Sequence, residues 1–179
     1  MSASITPSNR EEAARCVEVL DRFVEAKQAL FADSLALFAC DRLEPINVAG
    51  TLVSVQPDLV VNSTFPPQSD VKFGMIFIRP QKTPDVDGPK TSETRDSRRE
   101  YRREAARYML TLAQMAVVAS GVSKDSFDPR RSFVWDIRLG EAIPFPSDWV
   151  SRQKNIEAAG RMIRRLWDTI EPSTSLLRK

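Results

Sequence analysis

The run Val71-Lys-Phe-Gly-Met-Ile-Phe-Ile78 constrains this chain more than any other stretch. It is apolar at both sets of alternating positions, so a strand built from it needs cover on both faces. Pro80 ends it, because proline has no N–H to give to a ladder. A central strand of this kind requires strands at its edges and helices above and below.

The flanking sequence supplies both. Ser8 followed by Glu11 fits a capping box. Cys16, Leu20, Phe23, Leu30, Leu35 and Phe38 then recur near helical spacing. They predict a long N-terminal helix that breaks near Asp33–Ser34 and ends at Cys40. Ile46, Val48, Leu52, Val53 and Val55 read as strand up to Pro57. Asp58-Leu-Val-Val-Asn62 reads as a second short strand or a continuation beyond a bulge. Phe65 to Asp70 is a loop, and the polar segment 83–95 is expected to be a flexible one.

A strong helix is predicted from Asp96 to Ser120, closed by Gly121. Its expected buried stripe is Tyr101, Ala105, Tyr108, Leu112, Met115 and Ala119. Arg131 to Leu139 alternates. Phe133, Trp135, Ile137 and Leu139 fall on one face and Val134, Asp136 and Arg138 on the other, which predicts a half-buried strand. Ile143 to Trp149 reads as a packed connector. The last helix is expected from Ser147–Asp148 to Pro172. Its buried face would be Trp149, Ile156, Ala159, Ile163, Leu166 and Ile170, with a frayed tail at 173–179.

These elements predict an α/β (α+β) fold. A small mixed sheet is flanked by helices, with long N-terminal and C-terminal helices, in one domain spanning 1–179. The chain has 179 residues, 42% hydrophobic and 28% charged, enough for a real core without staples. Cys16 and Cys40 have no metal-like spacing and read as buried thiols in a reducing compartment. There is no secretory pattern and no apolar window long enough for a membrane span, so a cytoplasmic location and no membrane contact are expected.

The chain has no histidine, which excludes Ser-His and Cys-His nucleophile pairs, histidine general bases and histidine metal ligands. It also lacks the GxxxxGK[ST] and GxGxxG loops that cradle nucleotide phosphates.

Four segments carry a resemblance. Gly50 with Asp58-Leu-Val-Val comes first, then Gly74-Met-Ile-Phe-Ile-Arg-Pro-Gln-Lys82-Thr83. Glu104-Ala-Ala-Arg-Tyr108 and Arg131 to Leu139 follow. Together they resemble the RecB-type branch of the PD-(D/E)xK nucleases. In that family a strand ending in an acid, any residue and lysine precedes a QxxxY helix and a later strand. The resemblance spans roughly Gly50 to Leu139 and implies a restriction-endonuclease-like core, with Asp58 and Lys82 as catalytic candidates. In such nucleases two acids hold Mg²⁺ and the lysine orients the attacking water.

The acid is what this chain lacks. Aligning Lys82 on the family lysine puts Pro80 in the acid's place, and aligning Arg79 on it puts Phe77 there. Neither offers the oxygen ligand that Mg²⁺ needs. The implied function is a non-catalytic, nuclease-like module acting as a nucleic-acid-binding or assembly subunit. The setting would be a larger bacterial complex in defence or mobile-element biology, with no cofactor.

Two alternatives stay open. One is an active Mg²⁺-dependent nuclease in which Glu104, Glu25 or Glu44 replaces the missing acid. The other is a protein–protein adaptor without nucleic-acid contact, anchored on the Ile143–Trp149 segment. A protein partner or a homo-oligomer is expected.

From Arg95 to Arg107 there are six arginines against three acids. Arg95, Arg99, Arg103 and Arg107 recur every four residues, with Arg98 and Arg102 beside them. Such a stripe can track a DNA or RNA backbone. It can equally be a solvated face that pairs its own charges through Asp96–Arg99, Glu100–Arg103 and Glu104–Arg107. Arg161, Arg164 and Arg165 make a second basic patch.

Overall fold

A computed structural model describes residues 7–29, 35–67, 71–81, 84–88 and 90–169. Lys82, Thr83, the expected break at Asp33–Ser34, Ile170 and the tail 173–179 lie outside them. Helix α1 runs Pro7–Ala29 and is followed by strand β1, Leu37–Ala39. Strands β2 (Ile46–Val48) and β3 (Thr51–Val53) form a separate hairpin. Strands β4 (Leu59–Val61) and β5 (Gly74–Arg79) precede helix α2, Ser92–Ala119. Strands β6 (Phe133–Asp136) and β7 (Glu141–Pro144) lead into helix α3, Trp149–Leu166.

The main sheet has the order β1-β4-β5-β6-β7. All its pairings are antiparallel except β5 with β6, which run parallel with Ile76 opposite Phe133. A parallel pair needs a crossover, and α2 provides it. The expected mixed α/β architecture is present, and Gly74–Arg79 is its central strand.

Both faces are covered. On one side Val60, Met75, Phe77 and Val134 pack with Ala106, Leu110, Ala113 and Val117 of α2. On the other, Val61, Ile76, Trp135 and Ile137 meet Val19 and Phe23 of α1. Phe23 stacks on Trp135 at 4.5 Å between ring centroids. Arg138 donates to Glu18 Oε1 at 2.6 Å, which fixes α1 from its edge.

Several expectations are corrected. The N-terminal helix does not reach Cys40: Leu37–Ala39 is an edge strand paired with β4. The residues of 46–53 form two strands because Ala49 and Gly50 both take positive φ, the geometry of a tight two-residue hairpin turn. Helix α2 starts at Ser92, inside the segment expected to be a loop, because Thr91 caps it and accepts from the Thr94 N–H.

The buried stripe of α2 is Arg102, Ala106, Leu110, Ala113 and Val117, and Tyr101 is 63% exposed. Strand β6 is buried on both faces, since Asp136 finds an arginine inside the fold. The expected connector overlaps the end of β7 at Ile143 and Pro144, and its last residue, Trp149, opens α3. On α3 only Arg152 and Gly160 are buried, while Ile163 and Leu166 are exposed. Cys16 is exposed rather than buried. No helix among the described residues is long and apolar enough to cross a membrane.

Candidate functional site

Asp58 stands one residue before β4, where the antiparallel ladder sets it against the end of β5. Its N–H donates to Ile76 O at 2.9 Å, and its Oδ2 accepts from the Ile78 N–H at 2.6 Å. The carboxylate therefore caps the sheet. Gln56, Asp58, Phe77, Ile78, Arg79, Gln81, Ala105 and Met109 line a cleft of about 400 Å³ between the sheet and α2.

Arg79 and Phe77 share the α2 side of β5, because side chains alternate along a strand. Asp58, Phe77 and Arg79 thus line the same cleft. Arg79 donates to Arg102 O at 3.1 Å and comes within 4.0 Å of Asp136. Burial, and then the neighbouring Arg102 charge, lower its pKa from the usual arginine value.

The donor set does not fit Mg²⁺. Asp58 is a single carboxylate already accepting a backbone hydrogen bond, and a hard cation wants several oxygens around it. Among the described residues no group of three His, Cys, Asp or Glu side chains is placed to hold a metal. Glu104, one of the acids expected to substitute, is held by Arg107 and by Arg152, whose Nη1 donates to it at 2.7 Å. Cys40, near Asp58, stays a thiol at neutral pH. Burial first, then Asp41 and Asp58, push its pKa to about 11.

The arginines of α2 have mostly internal duties. Arg102, expected on the nucleic-acid stripe, is fully buried and grips Asp136 with two bonds, Nε to Oδ2 at 2.8 Å and Nη2 to Oδ1 at 2.7 Å. It also donates to Gln81 O at 2.9 Å, which ties down the segment after β5. Arg103 clasps Glu141 of β7 through Nε at 2.9 Å and Nη2 at 2.7 Å. Arg107 bonds Glu100 and Glu104. Arg98 donates to Asp85 O at 2.9 Å. Arg95 is half-buried, and Arg99 is exposed with no ion pair among the described residues.

Sequence reasoning missed Arg152. It is buried on α3, donates to Glu104 and Asp148, and lies 5.0 Å over the Tyr108 ring. It sits one turn from Trp149 and one from Ile156, so the helical spacing that marked those two residues also marked this arginine.

These ion pairs set a pH response. The hydrogen bonds from Arg152 to Glu104 and from Arg103 to Glu141 lower both carboxyl pKa values below the ordinary glutamate value. A depressed folded-state pKa gives stability that is complete above the unfolded value and is lost as pH falls through the folded one. The urea midpoint should therefore hold near neutral pH and fall on acidification below about pH 4. Arg152→Ala should lower the neutral midpoint and flatten that fall. An unchanged slope would show that the Glu104 pair contributes nothing.

Compared with family models, with curated proteins and with solved structures, the chain finds no match in any of the three.

Proposed function

We propose that this chain is a non-catalytic, nuclease-like module that serves as a binding subunit of a larger assembly. The observation that carries the reading is the end of β5. Asp58 accepts from the Ile78 N–H and shares a cleft with Arg79, and Phe77 is the residue that an alignment of Arg79 on the nuclease lysine sets in the second acid's position, which supports a module without catalysis. The chain order supports the same reading, with α1, antiparallel β1, β4 and β5, then α2 and a parallel β6. A cleft with Asp58 as its single carboxylate suits a binding role better than the metal step of a nuclease.

Assembly is favoured over a phosphate track along α2, because Arg102 is buried and Arg103 and Arg107 are matched by Glu141, Glu100 and Glu104. The test is incubation of the purified chain with double-stranded DNA, single-stranded DNA and RNA in Mg²⁺ or Mn²⁺. The expected result is no cleavage above buffer. Metal-dependent cleavage that disappears in Asp58→Ala would overturn the reading.

A further inference from the structure

The cleft at the end of β5 holds an unevenly matched set of charges. Arg79 and Arg102 share one buried carboxylate, Asp136. Arg102 takes both of its oxygens, at 2.8 and 2.7 Å, which leaves Arg79 Nε 4.0 Å away. Among the described residues Arg79 makes one hydrogen bond, Nη1 to Arg102 O at 3.1 Å, so most of its five N–H donors are unused. Its side chain is only 13% exposed, so little water compensates the charge. Asp58 lines the same cleft and forms no ion pair with Arg79. Its Oδ2 accepts from the Ile78 N–H, and its Oδ1 accepts nothing among the described residues.

The rest of the lining is mostly apolar: Phe77, Ile78, Ala105 and Met109. The Gln56 amide is already committed, accepting from the Leu43 N–H and donating to the Asp41 and Pro57 carbonyls. The cleft's 400 Å³ is near the small end of ligand sites, which run from about 300 to 1,000 Å³. It lies at the carboxyl end of β5, beside the parallel strand β6, where open α/β sheets receive ligands.

We propose that this cleft binds a free α-amino acid with an aliphatic or thioether side chain, which rests on the reading of the chain as a non-catalytic binding module and gives that module a ligand. The α-carboxylate meets the Arg79 fork and supplies the negative charge that Asp136 gives to Arg102. The α-ammonium meets Asp58 Oδ1, and the side chain lies against Phe77, Ala105 and Met109. A nucleotide would also meet Arg79, but its phosphate would stand near Asp58. Arg103 and Arg107, which could offset it, are matched by Glu141, Glu100 and Glu104. An amine without a carboxylate would leave Arg79 uncompensated.

The experiment is isothermal titration calorimetry of the full chain at neutral pH, with L-leucine and L-methionine as probes. Both should bind with Kd on the order of 10–100 μM. N-acetyl-leucine lacks the ammonium, leucinamide lacks the carboxylate and glycine lacks the side chain. Each should bind at least about tenfold more weakly than leucine. Adenosine monophosphate, the phosphate-bearing control, should not bind. Arg79→Lys keeps the charge and loses the fork, and should weaken leucine binding at least about tenfold. Asp58→Asn still offers an acceptor to the Ile78 N–H, so the fold is kept. It should weaken binding by a smaller factor, because Asp58 is exposed and its ion pair is screened by water.

The proposal falls if neither leucine nor methionine binds, or if both variants bind leucine like the parent. It falls equally if N-acetyl-leucine binds as tightly, which would assign the cleft to the carboxyl end of a peptide, or if leucinamide does, which would assign it to the amino end. Tight binding of adenosine monophosphate would make the ligand a nucleotide. If Arg79→Lys does not fold, the ligand series on the unaltered chain decides by itself. Absence of leucine binding would leave the non-catalytic reading standing, whereas metal-dependent cleavage would remove that reading and leave a measured leucine affinity intact.

Discussion

Asp136→Asn should destabilise the fold by about 3–5 kcal/mol, the usual cost of leaving one member of a buried ion pair without its partner. The carboxylate serves four donors. Arg102 reaches both oxygens, and Oδ1 also accepts from the Arg138 and Leu139 N–H groups at 3.1 Å each. An asparagine can accept at one oxygen only and must point an NH₂ at a guanidinium or at backbone donors. Both side chains of the pair are completely buried, so water cannot take over.

Arg102→Met should cost a similar amount and should also loosen the segment after β5, since Gln81 O loses its donor. The double variant Arg102→Met with Asp136→Leu should be less damaging than Arg102→Met and Asp136→Leu alone added together, because neither charge is then orphaned. Urea denaturation of the four proteins checks this. Additive losses would mean that the pair acts as two independent groups.

Gly74→Ala should abolish folding at ordinary temperature. A Cβ built on Gly74 would stand 2.1 Å from the Arg131 carbonyl oxygen and 2.4 Å from its carbonyl carbon. Backbone cannot swing aside as the end of a long side chain can. The segments on either side are also stitched: Phe73 N–H donates to Ser126 O at 2.9 Å, Asp128 N–H to Phe73 O at 2.7 Å, and Met75 N–H to Ser132 Oγ at 3.1 Å. Accommodating the methyl means breaking that seam in the centre of the sheet, at a cost of more than about 3 kcal/mol by the measure of core overpacking. Loss of cooperative thermal unfolding is the readout. A soluble Gly74→Ala protein with unchanged Tm would contradict the close approach.

The central strand, the three helices and the β6 strand were legible because each has a period that local chemistry enforces. Registers were less so. On α2 two apolar stripes lie one residue apart, and Tyr101 looks more apolar than Arg102. Only Asp136, 34 residues away, reverses that choice. On α3 the spacing correctly indicates an amphipathic helix, but nothing in it says whether Ile163 and Leu166 meet the core or remain uncovered. Strand β1 was read as helix because Leu35 and Phe38 continue the helical spacing of α1. Its pairing with β4 is a long-range fact. Of the residues lining the candidate cleft, the sequence draws attention to Asp58 and Arg79. The ladder register that brings them together, and the role of Arg152 between α2 and α3, are set by contacts across the fold.

The parallel pairing of β5 with β6 also governs the order of assembly. Ile76 and Phe133 are neighbours across the ladder yet far apart in the chain, with the whole of α2 between them. The antiparallel β4–β5 pair can close early. The opposite edge of β5 then waits, apolar and with open backbone groups, until the crossover is complete. That interval is when the nascent chain is most prone to pair with another molecule. Low concentration and low temperature during refolding should therefore improve recovery more than any change made to the finished structure.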